Sequence, residues 1–434
     1  METTTITALL AIGSAIFIGF FGGLIFNKYR IPDVLLLIAL GMIIGPDILG
    51  IVTTDFMNGV HQYQDLLLSV ALVLIIFDGG LSLDIRTVME SMKIATFITV
   101  VTLLAEISIV AVVAHFVFQI DLLLALALAT IIGGTSEAVV IPIANKMRIR
   151  DQTKCMLIME SVLTDVLVIV LALTFMSLIV IGDFDAWAVT RQIVGKFLIG
   201  GVVGFAVGFA WLYVLQSLHN KPFSYMLTVG ALFLISGFVE LSQIGGSAVV
   251  ASLVFGLVLG NKRFFKRWLT SFSLKSYTDE HIHHFQTEIT FFVRTFFYVY
   301  IGLMFDFGSF TATEMVTAVG IIVIIVVVRR LTSLLAYKIG DLDEGDADAL
   351  FSLMPRGLAS AVLATVPPLM LAGTAVWSAE YGPFVLNVVL IVILGTTILA
   401  AILSFVTEQR IDRRNRERIR MTLKNGGSVS QSSE

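Results

Sequence analysis

The sequence predicts an all-α protein that crosses a membrane many times, and three observations lead to this fold class. Of the 434 residues, 57% are hydrophobic and 14% are charged, whereas a soluble domain of average composition carries about 25% charged residues. Apolar windows of about 20 residues, the length that spans a bilayer as a helix, recur along the chain. The 35 glycines and 8 prolines stand in apolar surroundings, where a helical membrane protein tolerates breaks that line a cavity. A water-soluble enzyme, a nucleic-acid binder and a disordered scaffold are therefore disfavoured.

The apolar windows define thirteen predicted spans. The first seven lie near 5–26, 31–52, 64–82, 94–118, 121–145, 155–181 and 194–217. The other six lie near 222–241, 246–260, 286–305, 314–338, 347–373 and 382–406. Together they predict a transmembrane domain over residues 1–406, followed by a short basic tail at 407–434. The single cysteine, Cys155, cannot form an intramolecular disulfide, so no disulfide framework holds this fold.

Lysine and arginine residues are distributed unevenly over the loops between the spans. One alternating set of loops holds nearly all of them, and the opposite set holds essentially Arg191 alone. By the positive-inside rule, the basic tail lies in the cytoplasm, and an odd number of spans then leaves the N-terminus outside. We expect a multi-pass protein of the cell (plasma) membrane. The tail either lies on anionic lipid or is a solubilising end.

Few ionisable residues remain at membrane depth, where each charge is costly and is therefore a functional candidate. They are Asp78, Glu106, Glu137, Glu160, Asp165, Arg294, Arg329, Arg330 and Arg356. Four of the acids lie on the third, fifth and sixth predicted spans, and the arginines lie on the tenth to twelfth. Opposite charges on the two halves of the chain indicate ion pairs across a helix bundle. For each residue, an ion pair that orders the bundle is the alternative to a direct role in function.

Asp165 is distinguished by its neighbours on the sixth span. Residues four apart share a helix face, so Ser161 lies one turn from Asp165, and Glu160 lies one turn from Thr164. Two carboxylates and two hydroxyls are thereby concentrated at one depth. These are the hard oxygen ligands that an alkali cation needs, and burial would bring protons into competition for the same carboxylate.

Two spans are interrupted in a way that simple helix packing does not explain. Gly133-Gly134-Thr135-Ser136-Glu137 breaks the fifth span, and Pro355-Arg356-Gly357 with Pro367-Pro368 breaks the twelfth. The two spans are seven apart in order, so they cross the membrane in opposite directions. Paired interrupted helices in two inverted halves mark the binding site of many transporters. Packing glycines would account for Gly133 alone.

Six ordered motifs carry a family resemblance over roughly residues 31–404. They are Phe77-Asp78-Gly79-Gly80-Leu81, Gly134-Thr135-Ser136-Glu137-Ala138-Val139, Glu160-Ser161-x-x-Thr164-Asp165, Ile244-Gly245-Gly246-Ser247-Ala248 followed by Gly256-Leu257-Val258-Leu259-Gly260-Asn261, Arg330, and Arg356-Gly357. In these motifs the chain resembles the monovalent cation/proton antiporter family, in its NhaP-type sodium/proton exchanger branch. That resemblance implies thirteen helices with inverted repeats, two crossing interrupted helices, a mobile core domain and a dimerisation domain.

The resemblance also implies roles for individual residues. Asp165 would be the essential carboxylate that binds the cation and the proton. Ser161 would bind Na⁺ through its hydroxyl, and Thr135 would bind it through its backbone oxygen. Glu160 would pair with Arg356 to hold the core together. The accessory residues would be Asp78, Arg330 and Arg294, the last taken from the membrane-depth charges rather than from a motif. Members of this family are usually homodimers.

Three positions depart from the family pattern. Thr164 replaces an asparagine, Ser136 replaces an aspartate, and Glu137 replaces a proline. All three stay candidate site residues: Thr164 keeps a hydroxyl, and an unwound segment could direct Glu137 into the place of the missing acid. Because Thr164 is neutral, the resemblance implies electroneutral one-for-one exchange with one transported carboxylate, by analogy with the family's asparagine branch.

We therefore expect a secondary antiporter that exchanges Na⁺ (or Li⁺) for H⁺ and uses no cofactor. The alternatives are K⁺ as the transported cation, a channel or sensor on the same scaffold, and symport of an organic anion. No phosphate-binding loop, metal-binding cysteine spacing or nucleophile elbow indicates an enzyme. His281, His283 and His284 precede the tenth span, and they form either a pH sensor, a metal site or a solvated loop.

Overall fold

The structure, a computed structural model, describes most of the chain. It covers residues 13–14, 16–21, 24, 33–52, 64–82, 85–182, 186–217, 224–241, 246–265, 279–305, 310–339 and 342–424. Every regular element within these ranges is helical. This confirms the predicted all-α class, whereas the count of thirteen spans stays a prediction. The first predicted span lies mostly outside the described ranges.

Sixteen helices are described with their bounds. Those of the first part of the chain are α1 (Asp33–Ile44), α2 (Gln64–Ser82), α3 (Ile85–Phe118), α4 (Leu122–Ile131), α5 (Glu137–Lys146), α6 (Asp151–Ile181), α7 (Ala186–Ser217), α8 (Ser224–Leu241) and α9 (Ala248–Gly260). Those of the second part are α10 (Lys262–Phe265), α11 (Asp279–Leu303), α12 (Ala312–Ile339), α13 (Glu344–Ser352), α14 (Leu358–Thr365), α15 (Pro367–Met370) and α16 (Tyr381–Lys424).

Five stretches within the described helices are long and apolar enough to cross a membrane. They are Thr96–Phe118, Gln152–Ile181, Val194–Leu215, Ala312–Ile339 and Tyr381–Arg414. Shorter apolar helices coincide with most of the other predicted spans. The chain is therefore a multi-pass membrane protein whose spans follow the hydrophobic pattern of its sequence.

The first predicted interruption divides one span into α4 and α5. The carboxylate of Asp121 caps α4 by accepting hydrogen bonds from the backbone N–H groups of Leu123 and Leu124. Residues 132–136 between the two helices are not helical, because glycine strongly disfavours a helix interior. Glu137 differs from the prediction in one respect: it is the first residue of α5 and not part of the unwound segment.

The second interruption divides the corresponding late span into α13 and α14. Residues 353–357 are unwound, since Pro355 lacks a backbone N–H and also disfavours helical geometry in the preceding residue. The predicted break at Pro367-Pro368 is different in kind. These prolines occupy the first positions of the short helix α15, where a missing N–H costs little.

The helices pack in two groups. The first, which we call the crossing bundle, contains α3 to α6 and α12 to α16. Within it, α3, α4, α5 and α6 contact one another in the same pattern as α12, α13, α14 and α16, as expected for two repeats. In the second group, α2, α7, α8 and α9 surround an apolar cluster in which Phe77 stacks on Phe255, and α1 packs on α11. The expected division into core and dimerisation domains stays a prediction.

The last helix continues well beyond the predicted end of its span. α16 runs without interruption to Lys424, so the predicted boundary at residue 406 lies inside a helix. Its extension meets a cluster of charged residues that we call the charged end of the bundle. The cluster consists of Arg148, Arg150, Arg330, Asp343, Glu344, Asp346, Asp348, Asp412 and Arg414.

Candidate functional site

The two unwound segments cross and contact each other inside the bundle. The backbone N–H of Ser136 donates a hydrogen bond to the carbonyl of Pro355 at 2.7 Å. Gly357 packs against Ser136 so closely that a Cβ at position 357 would lie only 3.2 Å from the Ser136 Cα and would overlap its side chain. Each unwound segment thus pairs one of its backbone hydrogen-bonding groups with the other segment.

Arg356 joins the crossing to a third helix. It is the largest fully buried side chain among the described residues. Its Nη1 donates to the carbonyl of Gly133 at 2.8 Å, and its Nη2 donates to Oε2 of Glu106 at 2.7 Å. Its backbone N–H donates to the hydroxyl of Thr396 at 3.0 Å. One arginine of the second segment therefore holds a carbonyl of the first segment and neutralises an acid of α3.

Glu160 has a different partner from the one expected. Both of its carboxylate oxygens accept hydrogen bonds from the guanidinium of Arg329. The same guanidinium donates to the carbonyls of Leu350 at 2.6 Å and Leu353 at 3.0 Å. Arg329 therefore satisfies carbonyls that the end of α13 leaves without helical partners.

The expected pair of Glu160 with Arg356 is thus wrong, because two separate pairs occur: Glu160 with Arg329, and Glu106 with Arg356. The physical reason is the position of each acid along its helix. Arg329 binds Glu160 and the carbonyls at the end of α13, whereas Arg356 binds Glu106 and the Gly133 carbonyl at the crossing. Spacing along the chain contains no information about which of several arginines reaches which acid.

The placement expected for Arg330 is also corrected. Its side chain is exposed, forms an ion pair with Asp348 at 3.3 Å and lies over the ring of Phe351. The neighbouring Arg329 is the buried arginine of α12. Consecutive residues of a helix point about 100° apart, so one residue of the Arg329-Arg330 doublet faces the bundle and the other faces away.

Asp165 lies over the first unwound segment. Its Oδ1 is 3.2 Å from the point where a Cβ at Gly134 would lie, so the absence of a side chain there makes room for the carboxylate. Two charges act on it electrostatically, the carboxylate of Glu137 and the guanidinium of Arg356. Within the described residues, no hydrogen bond or ion pair neutralises Asp165, in contrast to Glu106 and Glu160.

Hydroxyl groups join α6 to the same segment. Thr164 accepts a hydrogen bond from the backbone N–H of Thr135 at 3.1 Å, and the two hydroxyl oxygens are 3.0 Å apart. Thr164 also donates to the carbonyl of Ser161 at 3.1 Å, and the Ser161 hydroxyl donates to the carbonyl of Ile158 at 2.9 Å. Thr164 thus positions the backbone of Thr135 beside Asp165.

Three residues singled out in the sequence lie close together on one side of the crossing: Thr135, Thr164 and Asp165. All three carry oxygen atoms that can coordinate a cation, and hard cations prefer oxygen ligands. The described residues contain no group of three or more His, Cys, Asp or Glu that could hold a metal ion. Hydroxyl and backbone oxygens would therefore supply most of the ligands of a cation bound at Asp165.

The other candidates lie at varying distances from this centre. Ser136 is buried at the crossing, and Glu137 begins α5, where a helix N-terminus favours a negative charge. Asp78 lies on α2 in the second helix group, within electrostatic reach of Tyr225. Arg294 lies on α11, and its side chain, like those of His281, His283 and His284, falls outside the described part.

Sequence reasoning undervalued Glu106 and Arg329 and did not consider Thr396. Glu106 is 4% exposed and Arg329 is 2% exposed, and each forms half of a buried pair. Both were visible as charges at membrane depth, but no motif marked them. No sequence pattern marked Thr396, because a lone threonine in an apolar helix is common. Only the structure shows that its hydroxyl accepts a hydrogen bond from the backbone N–H of Arg356.

Comparisons with known proteins agree on one family. The family model for "Sodium/hydrogen exchanger, transmembrane" matches residues 14–406. Among curated proteins, the K(+)/H(+) antiporter NhaP of Alkalimonas amylolytica is 27% identical over 267 residues, which is 61% of this chain and 45% of that protein. The K(+)/H(+) antiporter NhaP2 of Shewanella sp. (strain MR-4) is 25% identical over 244 residues, 54% of this chain and 41% of that protein. The matched region spans about half the length of these relatives.

Among solved structures, the sodium proton antiporter MjNhaP1 of Methanocaldococcus jannaschii is similar to this chain with a TM-score of 0.78. The alignment covers 94% of this chain and 99% of that chain, at 20% sequence identity. At this level of identity the similarity concerns the fold.

Proposed function

Because this chain belongs to the sodium/hydrogen exchanger family, we propose that it is a secondary antiporter that exchanges a monovalent cation for H⁺. The observation that carries this proposal is the state of Asp165. It is a carboxylate over an unwound helix segment, beside hydroxyl groups, and no arginine of the described residues is paired with it. The two other deep acids, Glu106 and Glu160, are each bound by an arginine.

Competition for Asp165 couples the two ions. A dehydrated carboxylate is costly unless a proton or a cation neutralises it. In the proposed cycle, Asp165 crosses the membrane either protonated or with a cation bound, and this condition couples the two fluxes. Ser161, Thr135 and Thr164 would contribute oxygen ligands or hold them in place, and Ser136 and Glu137 would shape the segment around them.

The two buried ion pairs have a structural task in this proposal. Arg356 and Arg329 tie the unwound segments to α3 and α6. The segments could then move as one unit with Asp165 between the two sides of the membrane. Because Thr164 is neutral, a single carboxylate favours one-for-one, electroneutral exchange. Glu137 is the residue whose own protonation would alter this ratio.

For the transported cation we propose Na⁺ (or Li⁺), which the acidic, hydroxyl-rich centre fits. K⁺ is the second candidate, and one observation favours it: the curated relatives named above are K⁺/H⁺ antiporters. Among the described residues, the fully buried Arg356 fills the crossing, which favours an antiporter over a channel with a continuous polar path. We further propose a homodimer in the cell membrane with its C-terminus in the cytoplasm, as the loop charges indicate.

The proposal is tested in proteoliposomes that contain a pH-sensitive dye. We expect addition of Na⁺, Li⁺ or K⁺ to move protons in the wild type, and the responses rank the cations. Asp165→Asn should abolish the response while the protein still inserts and migrates as a single species. Asp121→Asn is the matched control, because asparagine caps a helix about as well as aspartate. Cation-driven proton flux retained in Asp165→Asn would refute the assignment.

Stoichiometry requires a separate measurement. A voltage clamp across the vesicle membrane should leave the initial exchange rate unchanged if the exchange is electroneutral. If K⁺ is the transported ion, the membrane voltage is set by a gradient of a permeant ion other than K⁺ and H⁺. A rate that depends on voltage would overturn the one-for-one ratio and would direct attention to Glu137.

A further inference from the structure

An apolar cavity lies in the crossing bundle, and none of its lining residues is a candidate residue of the proposed cation site. Its volume is about 250 Å³, and it is enclosed by α3, α4, α12 and α16. Nearly all of the lining side chains are aliphatic or aromatic. Thr317 is the polar exception, and its hydroxyl donates to the carbonyl of Thr313 at 2.7 Å, so it offers no free donor to a ligand.

The mouth of the cavity opens on an apolar surface that the described helices expose. Val117 on α3 and Val316 on α12 line it and are 66% and 72% exposed, and Val113 beside them is 38% exposed. Both helices contain stretches that are long and apolar enough to cross a membrane. Exposed valines on such helices face lipid chains. The cavity is therefore continuous with the lipid-facing surface of the protein.

Water is an unfavourable occupant of this cavity, because the apolar lining offers it few hydrogen-bond partners. An apolar cavity of roughly 150 Å³ engineered into a soluble protein stays dry and binds apolar molecules. Empty space of this kind also deprives its lining of packing contacts. The molecules that reach the mouth within the bilayer are acyl chains, and a chain is thin enough to enter a cleft between helices. We propose that one acyl chain of a membrane phospholipid occupies this cavity.

The inner end of the cavity touches the first unwound segment. Ile132, Leu128 and Ala129 line it, and Ile132 directly precedes Gly133, whose carbonyl accepts from Arg356. An inserted chain would therefore pack against the start of the crossing. Binding of the acyl chain follows from the cavity itself and does not depend on transport. It can therefore be tested whether or not the protein is an antiporter.

Photocrosslinking tests the proposal. The full-length protein is placed in vesicles of phosphatidylcholine that carries a diazirine in the middle of one acyl chain, and labelled residues are mapped by mass spectrometry. Val388 and Val389 line the cavity and are only 5% and 3% exposed. A chain can label them only from inside. Ile402 on the same helix is 54% exposed and reports on bulk lipid.

Two glycine variants make the test specific. A Cβ at Gly320, which lines the cavity, meets no atom within 4 Å, so the side chain of Gly320→Phe starts in open space and adds a ring to the cavity. A Cβ at Gly237 on α8 is equally free, and Gly237→Phe adds the same ring to another exposed surface. Val316→Phe at the mouth replaces Gly320→Phe if the latter is not a single species in detergent.

The expected result is labelling of Val388 and Val389 in the wild type and in Gly237→Phe, and loss of that labelling in Gly320→Phe. Labelling of Ile402 should be the same in all three proteins. Absence of label at Val388 and Val389 in the wild type would overturn the proposal. So would label there that Gly320→Phe leaves undiminished.

Discussion

The bundle contains two sets of ion pairs built from the same residue types, one at the crossing and one at the charged end. At the crossing, Glu106–Arg356 and Glu160–Arg329 are almost completely buried. At the charged end, the Arg148 side chain is 73% exposed in its pair with Asp412. There several of the charged side chains line a polar cavity of about 340 Å³, and Asp346, the partner of Arg150, is the buried member of the set.

The difference shows that burial, and not the number of pairs, determines what a charge does in this protein. Removing one member of a buried pair leaves an uncompensated charge in an apolar interior. Breaking an exposed pair costs little stability, because water and salt already screen the attraction between its charges. The buried pairs therefore hold the unwound segments, while the exposed pairs mainly place the extension of α16 beside α13.

The largest effect is expected for Arg356→Gln, which leaves the buried Glu106 without its guanidinium partner. We expect a loss of stability of about 3–5 kcal/mol, measured as a lower midpoint of thermal unfolding in detergent. The double variant Arg356→Gln with Glu106→Gln should recover part of the loss, because it removes the unpaired charge. If Arg356→Gln unfolds at the same temperature as Arg148→Gln, burial does not separate the two sets.

A smaller loss is expected for Arg329→Lys. Lysine keeps the charge but cannot donate to both oxygens of Glu160 and to two carbonyls at once. We expect a destabilisation of about 2 kcal/mol, corresponding to one or two hydrogen bonds to charged groups. The control Arg330→Lys changes the neighbouring, exposed arginine and should leave the unfolding midpoint unchanged. Equal effects of the two changes would contradict the assignment of Arg329 as the buried partner.

Gly134→Ala probes the space around Asp165 without changing any charge. The added Cβ would lie 3.2 Å from the Asp165 Oδ1 and 3.1 Å from Cγ2 of Val168. Crowding of this kind costs about 1–3 kcal/mol, and we expect it mainly as a higher KM for the cation. Gly345→Ala at the charged end is a matched control, because its Cβ meets Ile411 at the same 3.2 Å. An unchanged KM in Gly134→Ala would separate Asp165 from the proposed site.

The smallest effect is expected for Arg148→Gln, which breaks an exposed pair with Asp412. The cost should be at most about 1 kcal/mol, and it should disappear at high ionic strength. Choline chloride provides the ionic strength in this measurement, since the alkali cations are proposed substrates. A large loss of stability that persists in concentrated choline chloride would mean that the pairs of the charged end contribute substantially to the stability of the fold.

Much of the fold followed from the hydrophobic pattern. The long helices α3, α6, α7, α12 and α16 lie where apolar windows predicted them, and both interruptions occur at the predicted glycine- and proline-rich segments. Local chemistry explains these successes, because backbone groups in a bilayer must bond within their own segment. The extension of α16 was missed, since a basic tail resembles a solvated end until the acids that pair with it are known.

Asp165 could be proposed as the site carboxylate from the sequence alone, because its neighbours on α6 are set by helical spacing. The partners of the arginines could not be named. Arg329 and Arg330 differ by one position, yet one is buried beside Glu160 and the other is exposed. The choice depends on the rotation of α12 against α6, which many weak packing contacts determine together.

The sequence by itself determined that this chain is a helical membrane protein with two interrupted spans and with a scarcity of charge that exposes the candidate site. It could do so because periodicity, breaks and helical neighbours are local properties. Only the tertiary structure decided that the interruptions meet, that Arg356 holds Gly133 and Glu106, and that Asp165 has no arginine partner among the described residues. Those outcomes depend on contacts between residues more than a hundred positions apart, and no local pattern specifies them.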